Sequence, residues 1–374
     1  MNTQSTPVRI GLALLPIIVS LLITSLLIIA VGSDPRAVFE KVWEGALRDS
    51  RSFSGVVNFW IPFALAGIGL IVTFTAGLWN IGVEGQIMMG AVFATAVALN
   101  WKLPPLLLVP AELLAAMVGG ALWASIVGVL KIRLGVHEIF GGVALNALAN
   151  VVSIFLISGP WQPPEGGSAR GTPQFTTDAL LPSFSPDFEV SLLALFILAI
   201  IFVAVFFALR GTRWGLQLKA TGKNARSALL LGVPTERTAL SALIVCGMVA
   251  GIAGSYRILS PNGYGNLRPL VSGGIGFLAL LVVLLVSMRV LWVPLVTMIF
   301  AAILSGSTRL KIAFGLDASL AGVLQETLVL VVLLFNGLRG RLERRRQTAI
   351  ASENIQSITS NPSETVSVEA AAHE

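Results

Sequence analysis

Cysteine and histidine are almost missing from this chain of 374 residues: there is one cysteine, Cys246, and two histidines, His137 and His373. A disulfide framework is therefore excluded, and a zinc-type site built from clustered Cys and His has no residues to form it. Charge is scarce as well. Asp, Glu, Lys and Arg make up 12% of the residues, about half the share of a soluble domain. No Gly-x-x-x-x-Gly-Lys-Ser/Thr loop occurs, so the chain carries no cradle for the phosphates of ATP. Paired carboxylates and nucleophile–base pairs are absent too, which disfavours an intramembrane enzyme.

What is present is apolar. Hydrophobic residues are 55% of the chain, the mean hydropathy is +0.86, and the apolar residues come in long blocks, not in strand-like alternation. That pattern predicts an all-α, polytopic membrane helix bundle and argues against a β-barrel. The first block, residues 10–31, has no charge and is longer than the core of a secretory signal, so it reads as an uncleaved span. Residues 33–57, with Trp43 among Arg36, Lys41, Arg48 and Arg51, read as a short helix at the outer interface.

Further spans are expected at 58–76, 87–99, 106–130, 138–157, 189–209, 238–258, 273–288, 290–304 and 318–335. That makes about ten, or eight if the short ones are re-entrant. Gly247, Gly251 and Gly254 sit at helix-packing spacing in one of them. The larger share of Lys and Arg falls on the side of both termini, which puts that side in the cytoplasm; the isoelectric point near 10.0 follows from this topology and does not call for a nucleic-acid partner. Residues 1–336 form the expected transmembrane domain, with 210–237 as its main cytoplasmic loop. A basic segment from 337 leads into a Ser/Thr/Glu-rich tail to 374 that cannot bury enough surface to fold.

Two polar stretches interrupt the apolar pattern. One is Gly77-Leu78-Trp79-Asn80-Ile81-Gly82-Val83-Glu84-Gly85-Gln86, lying between two spans. An acid at membrane depth costs a few kcal/mol and normally faces a cavity or a partner, so Glu84 either lines a pathway or caps a broken helix. Asn80 and Gln86 can bond a solute or backbone freed by the glycines. Trp79 can stack on a ring or anchor at the interface. A fainter echo of this glycine-broken stretch lies at 265–279, and broken segments in matching halves point to a transport pathway. The second stretch is the basic loop 210–237, where Asn224 is placed to cap a helix from Ala225 to Leu231.

Smaller readings follow. Glu112 and Glu326 suit helix–helix hydrogen bonds, Arg257 suits snorkelling to the surface, and Glu138 suits the dipole of the helix it opens. Residues 262–268 are expected outside, where a partner protein could dock.

The first stretch, followed by His137-Glu138-Ile139 and Ala144-Leu145-Asn146, resembles the membrane permeases of ABC importers, in the superfamily of branched-chain amino acid and ribose permeases and its nucleoside and simple-sugar subgroup. The segment Lys219-Ala220-Thr221-Gly222-Lys223-Asn224 through Ala228 and Gly232-Val233 is similar to the family's cytoplasmic coupling region. At Ser287-Met288-Arg289-Val290 the chain departs from the family's usual Gly-x-x-x-Pro-like turn.

The resemblance implies a permease subunit in the inner membrane, multi-pass and without enzymatic activity of its own. Its pathway would involve Trp79, Asn80, Glu84, Gln86 and Asn146. Gly222, Lys223, Asn224, Arg226, Ala228 and Gly232 would couple it to cytoplasmic ABC ATPase subunits that bind ATP and Mg. A second permease chain, homologous or identical, an extracytoplasmic substrate-binding protein and membrane lipid would be the other partners, and this chain itself would hold no cofactor. The alternative is a stand-alone secondary transporter of a small polar solute.

Overall fold

The computed structural model describes residues 6–164 and 170–307 and, beyond them, Val323, Thr327, Leu330, Val331 and Leu334, with side chains from Ile18 onward. Apart from those five residues, the expected span at 318–335, with Glu326 as its lone acid, and the tail from 337 lie outside the described residues. Two compact units result. Met1–Leu27 with Glu326–Glu374 is one; Ile28–Gln325 is the other and holds everything that follows. The first unit contributes the helix α1 (Thr6–Ala30) as far as Leu27.

In the second unit α2 (Pro35–Leu47) starts at Asp34, whose side chain accepts from the Arg36 amide, and leaves Trp43 exposed. A helix thus falls where the interfacial one was expected. It ends sooner than the sequence suggested, because Asp49 caps a new helix by accepting from the Ser52 amide at 2.7 Å. That helix, α3 (Ser50–Thr75), takes residues 50–57 into the membrane-spanning bundle. At 1.5 Å per residue it is about 39 Å long.

After the break at Gly77–Gln86 come α4 (Val83–Asn100), α5 (Pro105–Leu134) and α6 (Glu138–Ser158). The loop that follows α6, expected on the external side from its many prolines and glycines and its one basic residue, Arg170, leads to α7 (Leu192–Gly211). The basic loop folds as α8 (Arg213–Lys223) and α9 (Ala225–Leu230). The chain then returns through α10 (Thr235–Leu259), the short α11 (Ile275–Leu285) and α12 (Val293–Ser307). Among the described residues, seven helices are long and apolar enough to cross a membrane, eight if the end of α1 and α2 count as one broken span. With 11 residues, α11 reaches about 17 Å and cannot cross the roughly 30 Å of hydrocarbon alone.

The centre is a glycine crossing. α10 packs most extensively on α5, α4 and α3. A side chain on Gly251 would run into the Ala116 carbonyl of α5, one on Gly254 into the Ile87 carbonyl of α4, and one on Gly120 into the Gly247 carbonyl of α10. With lipid outside, apolar burial alone does not hold helices together. Close backbone approach through small residues does, by dispersion. α3 and α4 are enclosed by this packing, whereas α5, α6 and α7 turn most of their apolar surface outward.

Candidate functional site

The break begins where α3 ends. Gly77 has φ +76 and lies against Gly222 of α8, a side chain on it meeting that backbone at 3.0 Å. This left-handed conformation favours glycine. The break and the basic loop therefore touch through two residues that lack side chains.

Polar side chains then hold the break together. Asn80 and Gln86, both fully buried, face each other as a reciprocal amide pair at 3.1 Å in both directions. Asn80 also donates to the Cys246 sulfur at 3.1 Å. From α6, Asn146 accepts from the Gly85 amide at 2.8 Å and donates to the Ile81 carbonyl at 2.9 Å. Glu138, in the first turn of α6, pairs with Lys131 at the end of α5 and accepts from the Trp79 amide at 3.4 Å. Its position suits the helix dipole as expected, and the bond to the break is an addition that spacing could not reveal. Trp79 itself is 42% exposed and meets Phe74 edge-on at 5.3 Å between centroids.

Glu84 ties the two breaks to each other. Its carboxylate accepts from the Gly274 amide at 2.7 Å and from the Gly276 amide at 2.6 Å, so it sits on the N-terminus of α11. Those amides have no partner within their own helix, and the positive end of the helix dipole favours an anion there. The faint echo at 265–279 is thus a neighbour of the first break in space. Arg257 of α10 approaches the same segment, donating to the Val271 carbonyl at 3.2 Å and to the Tyr264 hydroxyl at 2.6 Å. It turns inward and does not snorkel, because Val271 offers a carbonyl freed by the unwound chain.

Near the outer end of α3 and α10 lies a cavity of about 240 Å³. Asn58, Phe59, Tyr256, Arg257, Asn262 and Tyr264 are on its wall. The Tyr256 hydroxyl donates to Asn58 at 2.6 Å, and the Arg257 guanidinium lies over the Tyr264 ring at 4.9 Å. Arg257 has five N–H donors and no ion pair among the described residues, so donors remain for a solute. This constellation was not legible from the spacing of its residues. A signal existed: the chain has only two tyrosines, Tyr256 and Tyr264, flanking Arg257, and both line this cavity. The loop at 262–268 is paired with the external loop, for Asn266 donates to the Thr172 carbonyl and the Phe175 amide to the Gly265 carbonyl.

Glu112 departs from expectation. Fully buried on α5, its two carboxyl oxygens find no hydrogen-bond partner among the described residues. The helices packed on α5 spend their interior N–H groups on their own ladders and present small or apolar residues at the crossing.

At the basic loop, Asn224 accepts from the Ser227 amide at 3.0 Å and caps α9 as predicted. Ala228 is buried, and Gly232 ends the unit with φ +82. Leu230 and Leu231 at the tip are each 83% exposed.

Buried broken helices stitched by side chains inside a multi-span bundle define a membrane transport protein. A family model described as branched-chain amino acid transport system / permease component matches residues 52–338, and the chain belongs to that family: it is a permease subunit of an ABC importer, multi-pass in the membrane. A glucose ABC transporter permease of Haloferax volcanii is 28% identical over 86% of this chain and 87% of its own length. A guanosine ABC transporter permease of Bacillus subtilis is 23% identical over 89% and 96%. A nucleoside ABC transporter permease of Lactococcus lactis is 26% identical over 82% and 85%. In each of these organisms a second protein of like name matches as well.

Proposed function

We propose that this permease carries a nucleoside or a simple sugar inward. The outer cavity supports the reading best: three aromatic rings, two amides and an arginine with donors to spare around about 240 Å³ suit a ring-bearing, hydroxyl-rich solute. The relatives' names, glucose, guanosine and nucleoside, are of the same two classes.

Asn80, Glu84, Gln86 and Asn146, with Trp79 beside them, serve in this reading as the inner gate, closed by their mutual hydrogen bonds. ATP and Mg act in separate ATPase subunits, which dock on α9 through Leu230 and Leu231, with Gly222, Lys223, Asn224, Arg226, Ala228 and Gly232 shaping the element. Contact of Gly222 with Gly77 carries the motion of that element to the gate. A second, homologous permease completes the pathway, a reading favoured by the paired matches in each organism, and a binding protein outside delivers the solute. Residues 1–336 act as the permease domain and 337–374 as a separate tail.

The test is uptake of labelled guanosine and of labelled glucose into vesicles holding the assembled transporter, with and without ATP. ATP-dependent uptake of one class, inhibited by unlabelled solute of that class, is expected. Uptake without any ATPase subunit, or none of either class, refutes the proposal.

A further inference from the structure

We propose that an anionic phospholipid occupies a groove between α7 and α12, with its headgroup phosphate held by Arg210, Lys219 and Arg289. The site is separate from the solute pathway and does not depend on the solute's identity. Two adjoining cavities carry the argument. One, about 420 Å³, is lined by Arg210, Lys219, Arg289, Phe206 and Trp292. No acidic residue lines it, and none of the three cations has an ion pair among the described residues. The other, about 480 Å³, is lined by apolar residues, among them Leu195, Leu198 and Phe202 of α7 and Pro294, Leu295 and Met298 of α12. Leu291 lines both.

The two chambers follow one stripe of α7. Leu195, Leu198 and Phe202 lead at helical spacing to Phe206 and Arg210, about 22 Å along the axis. An apolar trough of that length ending in positive charge matches the shape of a phospholipid, whose acyl chain fills roughly half of a 30 Å core. The charged chamber lies at the basic end of the bundle, where the cytoplasmic leaflet presents anionic headgroups and where basic pockets between spans bind them. Arg210 is also held in place over the Phe206 ring at 4.5 Å. A free phosphate would satisfy the cations but leave the trough empty; a lipid satisfies both.

Lys219 belongs to α8, and Arg289 follows Ser287 and Met288, two non-glycine residues at φ 50 and 61. A phosphate bridging them would fasten the basic loop to the strained turn before α12.

The assembled transporter is purified in mild detergent, delipidated in steps, and its bound lipid identified by native mass spectrometry. An anionic phospholipid should persist on the permease after neutral lipids are gone. Arg210→Gln, Lys219→Gln and Arg289→Gln together should weaken its retention about 100-fold, at roughly fivefold per charge. Arg210→Lys with Arg289→Lys should retain it, and Ala199→Trp, at a residue of α7 that also lines the apolar cavity, fills the trough, leaves every charge in place and should lose it. Equal retention in the triple-Gln variant overturns the proposal. So does displacement of the lipid by inorganic phosphate alone, which marks a small-anion site, and so does cross-linking of a second permease chain through Leu198 and Leu295, which puts protein in the groove.

Discussion

The Gly77–Gln86 break and the outer cavity both put polar side chains among apolar helices, yet they spend them differently. At the break, Asn80, Gln86, Asn146 and Glu84 bond one another or the backbone of the two broken segments. In the cavity Asn262 has no hydrogen bond among the described residues, and Arg257 keeps donors uncommitted. Polar groups that satisfy each other close a structure, since each unmade bond in a low-dielectric interior costs more than a made one gains. Polar groups left facing space can exchange water for a solute. The same residue types therefore lock one region and leave the other receptive.

The glycine crossing of α10 underlies both regions, so disturbing it should have the largest effect. Gly251→Leu forces a side chain into the Ala116 carbonyl and toward the Met117 amide nitrogen, an overpacking of about 3 kcal/mol. The expected outcome is loss of folded protein, read as the yield of monodisperse permease in detergent. Normal yield would mean that the crossing is loosely packed and that the two regions do not share a scaffold.

Glu84 separates the regions next. Glu84→Ala strips acceptors from the Gly274 and Gly276 amides, at about 1–3 kcal/mol for each stranded donor. Its thermal midpoint should fall and ATP-driven uptake should drop by about 100-fold or more. Glu84→Gln keeps one acceptor oxygen and should lose less of both. Should Glu84→Ala uncouple uptake at an unchanged midpoint, the carboxylate acts on the solute and not on the fold.

Much of the fold could be read from hydropathy, because spans are long and lipid permits only helices with their own hydrogen bonds complete. Asn224 as the cap of α9 was legible too, since a cap is a local event. Partners distant in sequence were not. Glu84 meets Gly274 across 190 positions, and nothing at either place names the other beyond a shared richness in glycine. Arg257 looked like a snorkelling residue because its carbonyl partner exists only after the 271–276 chain unwinds. Glu112 looked like a hydrogen-bonding acid because a sequence shows that a polar group is buried but not what surrounds it. The cavity escaped notice since Asn58, Arg257 and Tyr264 each have an ordinary local role.

Tyr264→Ala tests the receptive side alone and should have the smallest effect. The ring lies between two guanidinium groups, Arg257 and Arg268, each 4.9 Å from its centroid, and its hydroxyl accepts from Arg257. Removing it frees Arg257 to swing within the cavity and deletes one aromatic wall, but it leaves the bonds of the inner break untouched. One lost aromatic contact is worth about 0.5–1.5 kcal/mol, so the solute concentration for half-maximal uptake should rise by about 2- to 13-fold, while the thermal midpoint stays within a degree or two. Tyr264→Phe keeps the ring and should recover most of the loss. If Phe and Ala behave alike, the hydroxyl that positions Arg257 matters and the ring does not, and the cavity recognises its solute by hydrogen bonding alone. If neither changes uptake, the receptive character of this region is only apparent, and the solute passes elsewhere.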